Sequence, residues 1–178
     1  PDYGVTLRRM AEAGPEDLYT GQLAEAMSSD LAANGSWVTA GDLADYHPRI
    51  EDPVTASYKG YTVVSNQPPH GGPTLAAILN ILGGDDLAGL GHNSPDYILR
   101  VSMAMKAAFA DRNRHMADDQ FEDVPLEWMT SDERAAEWRE VIASGEAIDV
   151  GRQQADSGTT HVSVVDASGY CVSLTHSL

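Results

Sequence analysis

The spacing of apolar residues changes near residue 160, and this change limits the fold more than any other feature of the sequence. Before it, apolar residues recur at helical intervals, most clearly after the cap-like start at Ser94. After it, Thr160, Val162 and Val164 alternate with residues of the other face, and residues 166–169 have the composition of a turn. The pattern predicts an α+β chain that is helix-rich over its first two thirds and ends in a β-hairpin.

The remaining elements are predicted from caps, apolar stripes and turn residues. Thr39 followed by Asp42 has the spacing of a capping box. The segment 144–158 is polar and contains three glycines, which predicts an exposed loop. Helices are predicted over residues 15–34, 39–46, 74–82, 94–109 and 131–142, and strands over residues 54–58 and 61–65, on either side of the two-residue turn Lys59-Gly60.

The composition excludes several functional classes. The 178 residues include 11 Lys+Arg and 27 Asp+Glu, which gives a formal net charge of −16. Such a chain is a poor general nucleic-acid binder and is repelled by anionic lipid, because both surfaces require basic residues. No stretch approaches the roughly 18 apolar residues of a membrane helix. We therefore expect no nucleic-acid partner and no membrane contact in this segment.

The chain has one cysteine, Cys171. A single cysteine excludes an internal disulfide and any cysteine-rich metal site. Its place in an alternating strand predicts a small buried side chain rather than a nucleophile. The sequence leads us to expect neither a metal nor a cofactor.

The two ends of the chain have the character of internal sequence. Pro1 takes the place of an initiating Met, no signal sequence follows it, and residues 170–178 resemble an unfinished strand. We therefore expect the chain to be a piece of a longer protein. The cellular location of that protein is left open.

The junction between the glycine-containing loop and the last hairpin has a specific chemical potential. A Thr hydroxyl is a weak nucleophile that needs a base. If the Gly158–Thr159 bond is cut, Thr159 gains an α-amino group, which titrates near roughly 7.7–8.0 and can act as that base. The same hydroxyl could make the cut by attacking the carbonyl of Gly158, which has no Cβ to block the approach. From the residues alone, an ordinary strand start is the alternative.

Other residues also allow a functional and a structural interpretation. The loop at His70 could bind phosphate, but it lacks the lysine and the spacing of a P-loop, which favours a structural loop. The acidic residues Asp111, Asp118, Asp119 and Asp123 could bind a metal, but the neighbouring arginines favour ion pairs at a solvated helix end. His161 could orient a nucleophile or act as a hydrogen-bonded structural residue.

Several segments, in order along the chain, resemble the γ-glutamyltranspeptidases, which are N-terminal-nucleophile hydrolases cut from one precursor into a large and a small subunit. Residues 156–169, DSGTTHVSVVDASG, are similar to the processing-site stretch of that family. The upstream segments that resemble its large subunit are LYTG at 18–21, VTAGDLADY at 38–46, YKGY at 58–61, PPHGG at 68–72 and AAFADR at 107–112. The resemblance covers essentially the whole chain.

The resemblance implies a fold, a division and a chemistry. The fold is part of a four-layer α/β/β/α sandwich. Residues 1–158 are the C-terminal part of the large subunit, and residues 159–178 are the truncated first β-hairpin of the small subunit. Thr159 is both the nucleophile and the α-amino base after processing at Gly158–Thr159, and Ser177 matches a supporting hydroxyl that is usually Thr. Ser keeps the donor and acceptor but loses the methyl group that restricts the side chain.

The implied activity is transfer or hydrolysis of γ-glutamyl amides such as glutathione, with water or an amino acid as the acceptor. The alternatives are a related acylase on a glutaryl-type amide and a non-catalytic homologue that keeps the fold. By the same resemblance, the arginine that holds the substrate carboxylate lies upstream of this chain, and the paired glycines of the oxyanion hole lie downstream. We therefore expect the fragment alone to be inactive and to need the remainder of its own large and small subunits.

Overall fold

The computed structural model describes residues 2–151 and 160–176, and these residues form two compact units that divide between residues 51 and 52. The first unit contains α1 (Asp2–Ala13), α2 (Asp17–Thr20), α3 (Gln22–Ala33) and α4 (Ala40–Asp45). The second contains β1 (Val54–Tyr58), β2 (Tyr61–Ser65), α5 (Gly72–Leu82), α6 (Pro95–His115), α7 (Leu126–Met129), α8 (Asp132–Ser144), β3 (Thr160–Val165) and β4 (Cys171–His176). None of the helices in the described part of the chain is both long and apolar enough to cross a membrane.

The first unit is organised around the buried carboxylate of Asp17. Arg9 donates to it from Nε at 2.9 Å and from Nη2 at 2.7 Å, and the backbone N–H groups of Gln22 and Leu23 donate at 3.2 and 3.3 Å. The hydrogen bonds from Arg9, followed by those from the two backbone groups, lower the pKa of Asp17 to about 2. Asp17 therefore caps the start of α3 and ties α1 to it.

The predicted single helix over residues 15–34 is wrong, because the chain breaks at Gly21. Gly21 is extended, with φ −104° and ψ −157°, and it separates α2 from α3. A Cβ on this residue would collide with the Asp17 carboxylate, so the break and the cap depend on the same glycine. Helix α1 was not predicted at all.

Local capping signals set the start of α4 as predicted. The Thr39 hydroxyl accepts from the Asp42 N–H at 3.2 Å, and the Asp42 carboxylate accepts from the Thr39 N–H at 2.7 Å. This reciprocal pair is the capping box that the sequence indicated. The helix ends at Asp45, and Tyr46 is extended.

The first hairpin matches the prediction in both strands and in its turn. Val54 pairs with Ser65 at the open end, and Tyr58 pairs with Tyr61 at the turn. Lys59 and Gly60 both have positive φ, 50° and 85°, as a tight two-residue hairpin turn requires. One face of β1 is buried against Ala76 of α5.

The core of the second unit lies between α5, α6 and α8. Alanine contributes most of the α6 surface in this core, which allows the helix axes to approach closely. Ser94 caps α6 by accepting from the Tyr97 N–H at 3.1 Å, as the sequence predicted. Ser131, where the sequence predicted that a helix begins, caps α8 by accepting from the Arg134 N–H at 3.0 Å. The buried residues of this core are Ala77, Ile81, Leu82, Ala104, Ala107, Ala108, Ala110, Ala135, Trp138 and Ile148.

A buried ionic cluster joins α6 to α8. Asp111 is 1% exposed and accepts from Arg134 at 2.9 and 2.7 Å and from the indole N–H of Trp138 at 2.6 Å. The Arg134 guanidinium lies 4.5 Å from the ring centroids of both Trp128 and Trp138. The interpretation of Asp111 as an ion-pairing residue is confirmed, but its predicted position at a solvated helix end is wrong. Its partner comes from α8 rather than from the neighbouring arginines.

Candidate functional site

The residues predicted to carry the chemistry, Gly158, Thr159 and Ser177, lie outside the described residues. The structure does describe the elements that adjoin them in sequence. β3 begins at Thr160 and β4 ends at His176, and the segment that leads into the processing stretch is described up to Gly151.

The terminal hairpin has a fixed antiparallel register. Thr160 pairs with His176 at the open end, and Val165 pairs with Cys171 at the turn. The Asp166 carboxylate organises the turn by accepting from the Ser168 N–H at 2.8 Å, the Ser168 hydroxyl at 2.6 Å and the Tyr170 N–H at 2.9 Å. These bonds, with that from the Ser168 hydroxyl the largest, lower the pKa of Asp166. The predicted hairpin is confirmed, although β4 starts one residue later than expected.

One face of this hairpin is polar and carries a hydrogen-bonded histidine. Nε2 of His161 lies 3.0 Å from the Ser163 hydroxyl and 3.1 Å from the Ser173 hydroxyl, and these two serines are paired across the strands. The imidazole thus bridges β3 and β4. The predicted role of His161 as a hydrogen-bonded residue is confirmed for the described contacts.

The other face of the hairpin is apolar and exposed. Val162, Val164 and Leu174 are 49%, 55% and 60% exposed, and every residue from 161 to 174 is exposed. The prediction that Cys171 is buried is therefore wrong for this chain, because no face of the hairpin is covered deeply enough to exclude solvent.

Residues 148–150, which precede the processing stretch, are held against the core of the second unit. The side chain of Ile148 is buried in the core. The Asn113 amide donates to the Val150 carbonyl at 2.6 Å, and Arg114 donates to the Asp149 carbonyl at 3.4 Å. The predicted loop is confirmed over the described residues 145–151, most of which are exposed, but the predicted exposure is wrong for Ile148, which is buried, and for Val150, which is half-buried. The apolar alternation of Ile148 and Val150 around Asp149 was the signal that could have found it.

The loop before α5 has structural rather than ligand-binding contacts. Asn66 accepts from the Gly72 N–H through its side chain at 2.9 Å, and a Cβ on Gly72 would collide with the Asn66 carbonyl. Arg112 donates to the His70 carbonyl and to the Thr74 hydroxyl, both at 3.4 Å. These contacts favour the structural interpretation of this loop. Among residues 2–151 and 160–176, no group of three or more His, Cys, Asp or Glu side chains is placed to hold a metal ion.

Comparison with solved structures identifies the fold. The γ-glutamyltranspeptidase of Helicobacter pylori superposes with a TM-score of 0.74 at 32% identity, over 88% of this chain and 47% of that one. The cephalosporin acylase of Bacillus halodurans superposes with a TM-score of 0.69 at 32% identity, over 76% of this chain and 25% of that one. The fold is therefore α+β and part of the N-terminal-nucleophile hydrolase sandwich, as predicted.

Sequence comparison gives the family. The γ-glutamyltranspeptidase family model matches residues 1–178, so the chain belongs to the γ-glutamyltranspeptidase family. The acylase ACY 1 proenzyme of a Pseudomonas species is 38% identical over 99% of this chain and 32% of its own length. The glutathione hydrolase proenzyme of Escherichia coli is 34% identical over 97% of this chain and 31% of its own length. The chain thus spans about a third of the length of the curated relatives it matches.

Proposed function

We propose that the complete protein is a γ-glutamyl transferase and hydrolase that cuts itself between Gly158 and Thr159 and uses the new N-terminal Thr159 as its nucleophile. The observation that carries the proposal is the family match, which spans residues 1–178 and therefore includes the Gly158–Thr159 junction. The acylase and the glutathione hydrolase among the relatives are both named proenzymes, which fits activation by cleavage.

The register of the terminal hairpin supports a role for Ser177. The last described pair of this hairpin is Thr160 with His176, and Thr159 and Ser177 are the residues that adjoin this pair in the sequence, which supports our proposal that their two hydroxyls act together.

The proposed processing reaction takes its reacting atoms from Thr159, Gly158 and water. The Thr159 oxygen attacks the carbonyl carbon of Gly158 and the C–N bond breaks, which leaves an ester to Thr159 and a proton on the freed nitrogen. Water then hydrolyses the ester, so that Gly158 becomes a carboxylate and Thr159 regains its hydroxyl. The product is a residue with a nucleophile and a base on the same backbone unit.

The proposed turnover repeats this chemistry on a substrate. The α-amino group of Thr159 takes the hydroxyl proton while the oxygen attacks the γ-carbonyl carbon of a γ-glutamyl amide. The amide C–N bond breaks and the amine leaves with the proton, which leaves a γ-glutamyl ester on Thr159. Water releases glutamate from this ester, and an amino acid amine releases a γ-glutamyl amino acid.

The 178-residue chain alone should not perform this turnover. We propose that its working partners are the remaining parts of its own large and small subunits, since the chain spans about a third of its relatives. Removal of oxyanion-hole donors alone costs about 3–4 kcal/mol in activation free energy. The small-molecule substrate and its acceptor meet the site only in the assembled protein.

An acylase is the second candidate, and a specific observation favours it. The relative at 38% identity is named an acylase, whereas the glutathione hydrolase of Escherichia coli is at 34%. A glutaryl amide differs from a γ-glutamyl amide only by lacking the α-amino group. Hydrolysis of the γ-glutamyl and glutaryl anilides by the complete protein, compared as kcat/KM, separates the two candidates, and we expect preference for the γ-glutamyl compound.

The identity of the nucleophile is tested in the complete protein by replacing each of the two adjacent threonines, Thr159 and Thr160, with alanine. We expect the wild type to yield two chains by intact-mass analysis and Thr159→Ala to remain one chain without turnover. The matched control Thr160→Ala changes the next residue of the same type and should still be cut. A Thr159→Ala protein that splits at this bond and hydrolyses the γ-glutamyl anilide at the wild-type rate would refute the proposal. An uncut, inactive wild type would favour a non-catalytic homologue.

A further inference from the structure

We propose that Asn113 is a positioning residue for the autoprocessing reaction, because it fixes the backbone eight residues before the scissile Gly158–Thr159 bond. This inference rests on the proposed function and adds to it a residue far from the reacting atoms in sequence. Asn113 is near the end of α6, within the long helix that forms the core of the second unit.

The contact is short and comes from a rigid element. The half-buried Asn113 side chain donates from Nδ2 to the Val150 carbonyl at 2.6 Å. The 21-residue helix that carries Asn113 places four alanines and Asp111 in the interior. A donor mounted two residues after the buried Asp111 has little freedom to follow a moving loop, so it holds the loop in place.

Neighbouring contacts hold the same short segment. Ile148 is 6% exposed and belongs to the core, and the Val150 side chain packs against that core. Arg114 donates to the Asp149 carbonyl at 3.4 Å, and the Asp149 carboxylate accepts from the Gly151 N–H at 2.9 Å. The Asn113 bond is the shortest of these hydrogen bonds. Of the two that α6 donates, it is also the nearer to the processing stretch.

An intramolecular attack requires that the chain on both sides of the scissile bond be held. A misplacement of about 1 Å, even from a change remote from the chemistry, can cost about 100-fold in rate. On the downstream side the hairpin register is fixed by the Asp166 turn. On the upstream side Asn113, on α6, holds the Val150 carbonyl eight residues before Gly158. Loss of that anchor should therefore slow cleavage.

The anchor should matter for cleavage and not for turnover. During processing, Gly158 is covalently joined to Thr159, so the position of residues 150–158 bears on the attack. After cleavage, Thr159 begins a separate chain and its position no longer depends on Val150 through the backbone. A merely structural role for Asn113 would affect both reactions through stability.

The test is an isosteric substitution in the complete precursor, with a matched control. Asn113→Asp keeps the shape but replaces the N–H donor with an acceptor that faces the Val150 carbonyl. Asn80 is the control, because its half-buried amide also donates to a backbone carbonyl, that of Thr130 at 2.7 Å, on a different loop. Asn80→Asp thus repeats the same chemical change away from the processing segment.

Cleavage is followed from synthesis by coupled translation and intact-mass analysis, and turnover of the γ-glutamyl anilide is normalised to the amount of new N-terminal threonine. We expect Asn113→Asp to slow cleavage about tenfold, or ~1.4 kcal/mol in activation free energy, with turnover per cut molecule unchanged. Asn80→Asp should lower the thermal midpoint by about as much as Asn113→Asp lowers it. It should leave the cleavage rate within about twofold of wild type. If Asn113→Asp fails to accumulate, Asn113→Ala, which removes the donor without adding a charge, takes its place.

The outcomes separate this inference from the proposed function. Wild-type cleavage that requires Thr159 but proceeds at the same rate in the Asn113 variants would overturn the anchoring role alone. Equal slowing by Asn80→Asp would also overturn it, since stability would then explain the effect. A wild type that never cleaves would instead remove the proposed function itself.

Discussion

Substitution of Asp111 by Asn tests how much the ionic cluster between α6 and α8 stabilises the second unit. The change keeps the shape of the side chain but removes the charge that faces Arg134 and turns one acceptor into a donor. Asp111 is 1% exposed and receives three hydrogen bonds, from Arg134 at 2.9 and 2.7 Å and from Trp138 at 2.6 Å. Asn cannot accept all three in this geometry.

The magnitude follows from burial and from the remaining partner of Arg134. Breaking a buried ion pair by changing one member costs about 3–5 kcal/mol. Arg134 keeps its hydrogen bond to Glu137 at 2.6 Å, and its side chain is 18% exposed, so the orphaned charge is partly compensated. We therefore expect the lower end, about 3 kcal/mol in the free energy of unfolding, which is a large part of a typical total of about 5–15 kcal/mol.

Tryptophan fluorescence reports on this cluster directly. Trp128 and Trp138 both lie 4.5 Å from the Arg134 guanidinium, whereas Trp37, in the other unit, is 96% exposed. With a urea dependence of about 2 kcal/mol per M, the loss should lower the unfolding midpoint by about 1.5 M. The exposed residue Asp123 gives the control, and Asp123→Asn should change the stability by less than about 0.5 kcal/mol. Equal midpoints for the two variants would show that the ionic cluster does not stabilise the second unit.

Three further predictions concern the caps, the first unit and the exposed hairpin. Because hydrogen bonds from Arg9 lower the pKa of Asp17 from 3.8 to about 2, its contribution to stability is complete above pH 3.8 and is lost as the pH falls toward 2. Circular dichroism on acid titration should show the wild type losing stability over this range and Asp17→Asn showing less pH dependence there; parallel curves would contradict this. Ser94→Ala removes the cap of α6 and should destabilise the second unit by about 1 kcal/mol in urea denaturation, and an unchanged midpoint would contradict it. The paired apolar residues Val162 and Leu174 are exposed and should cause the 178-residue chain to associate. In sedimentation, the wild type should form multimers and the double variant Val162→Thr, Leu174→Thr should form a smaller species. A sharp monomer boundary for the wild type would contradict this.

Elements whose causes are local could be predicted from the sequence. The capping box of Thr39, the caps at Ser94 and Ser131, and both hairpins depend on residues within a few positions of one another. Short sequence patterns encode the hydrogen bonds that define these elements, so the sequence alone is sufficient to predict them.

The features that were missed depend on partners distant in the chain or on a side chain with an unusual role. The break at Gly21 follows from Asp17 turning inward to meet Arg9 and the start of α3, which a stripe of apolar residues does not show. Asp111 forms its ion pair with Arg134, which follows it by 23 residues, and not with the arginines next to it in the sequence. Ile148 is buried although its segment is mostly polar, because the core of the second unit receives it.

The candidate site shows the same division. The chemistry available to a threonine after glycine could be stated from the residues, but the choice of Thr159 over an ordinary strand start came from the resemblance to a family. The anchoring of Val150 by Asn113 joins residues that are 37 positions apart, so no local pattern indicates it. Only the packed structure brings the two together.

N-terminal sequencing of the purified, active, complete protein is the decisive test of cleavage between Gly158 and Thr159. We expect two chains, one of which begins Thr-Thr-His from residue 159. A protein that turns over γ-glutamyl amides while remaining a single chain, or whose second chain begins at any other residue, would contradict it.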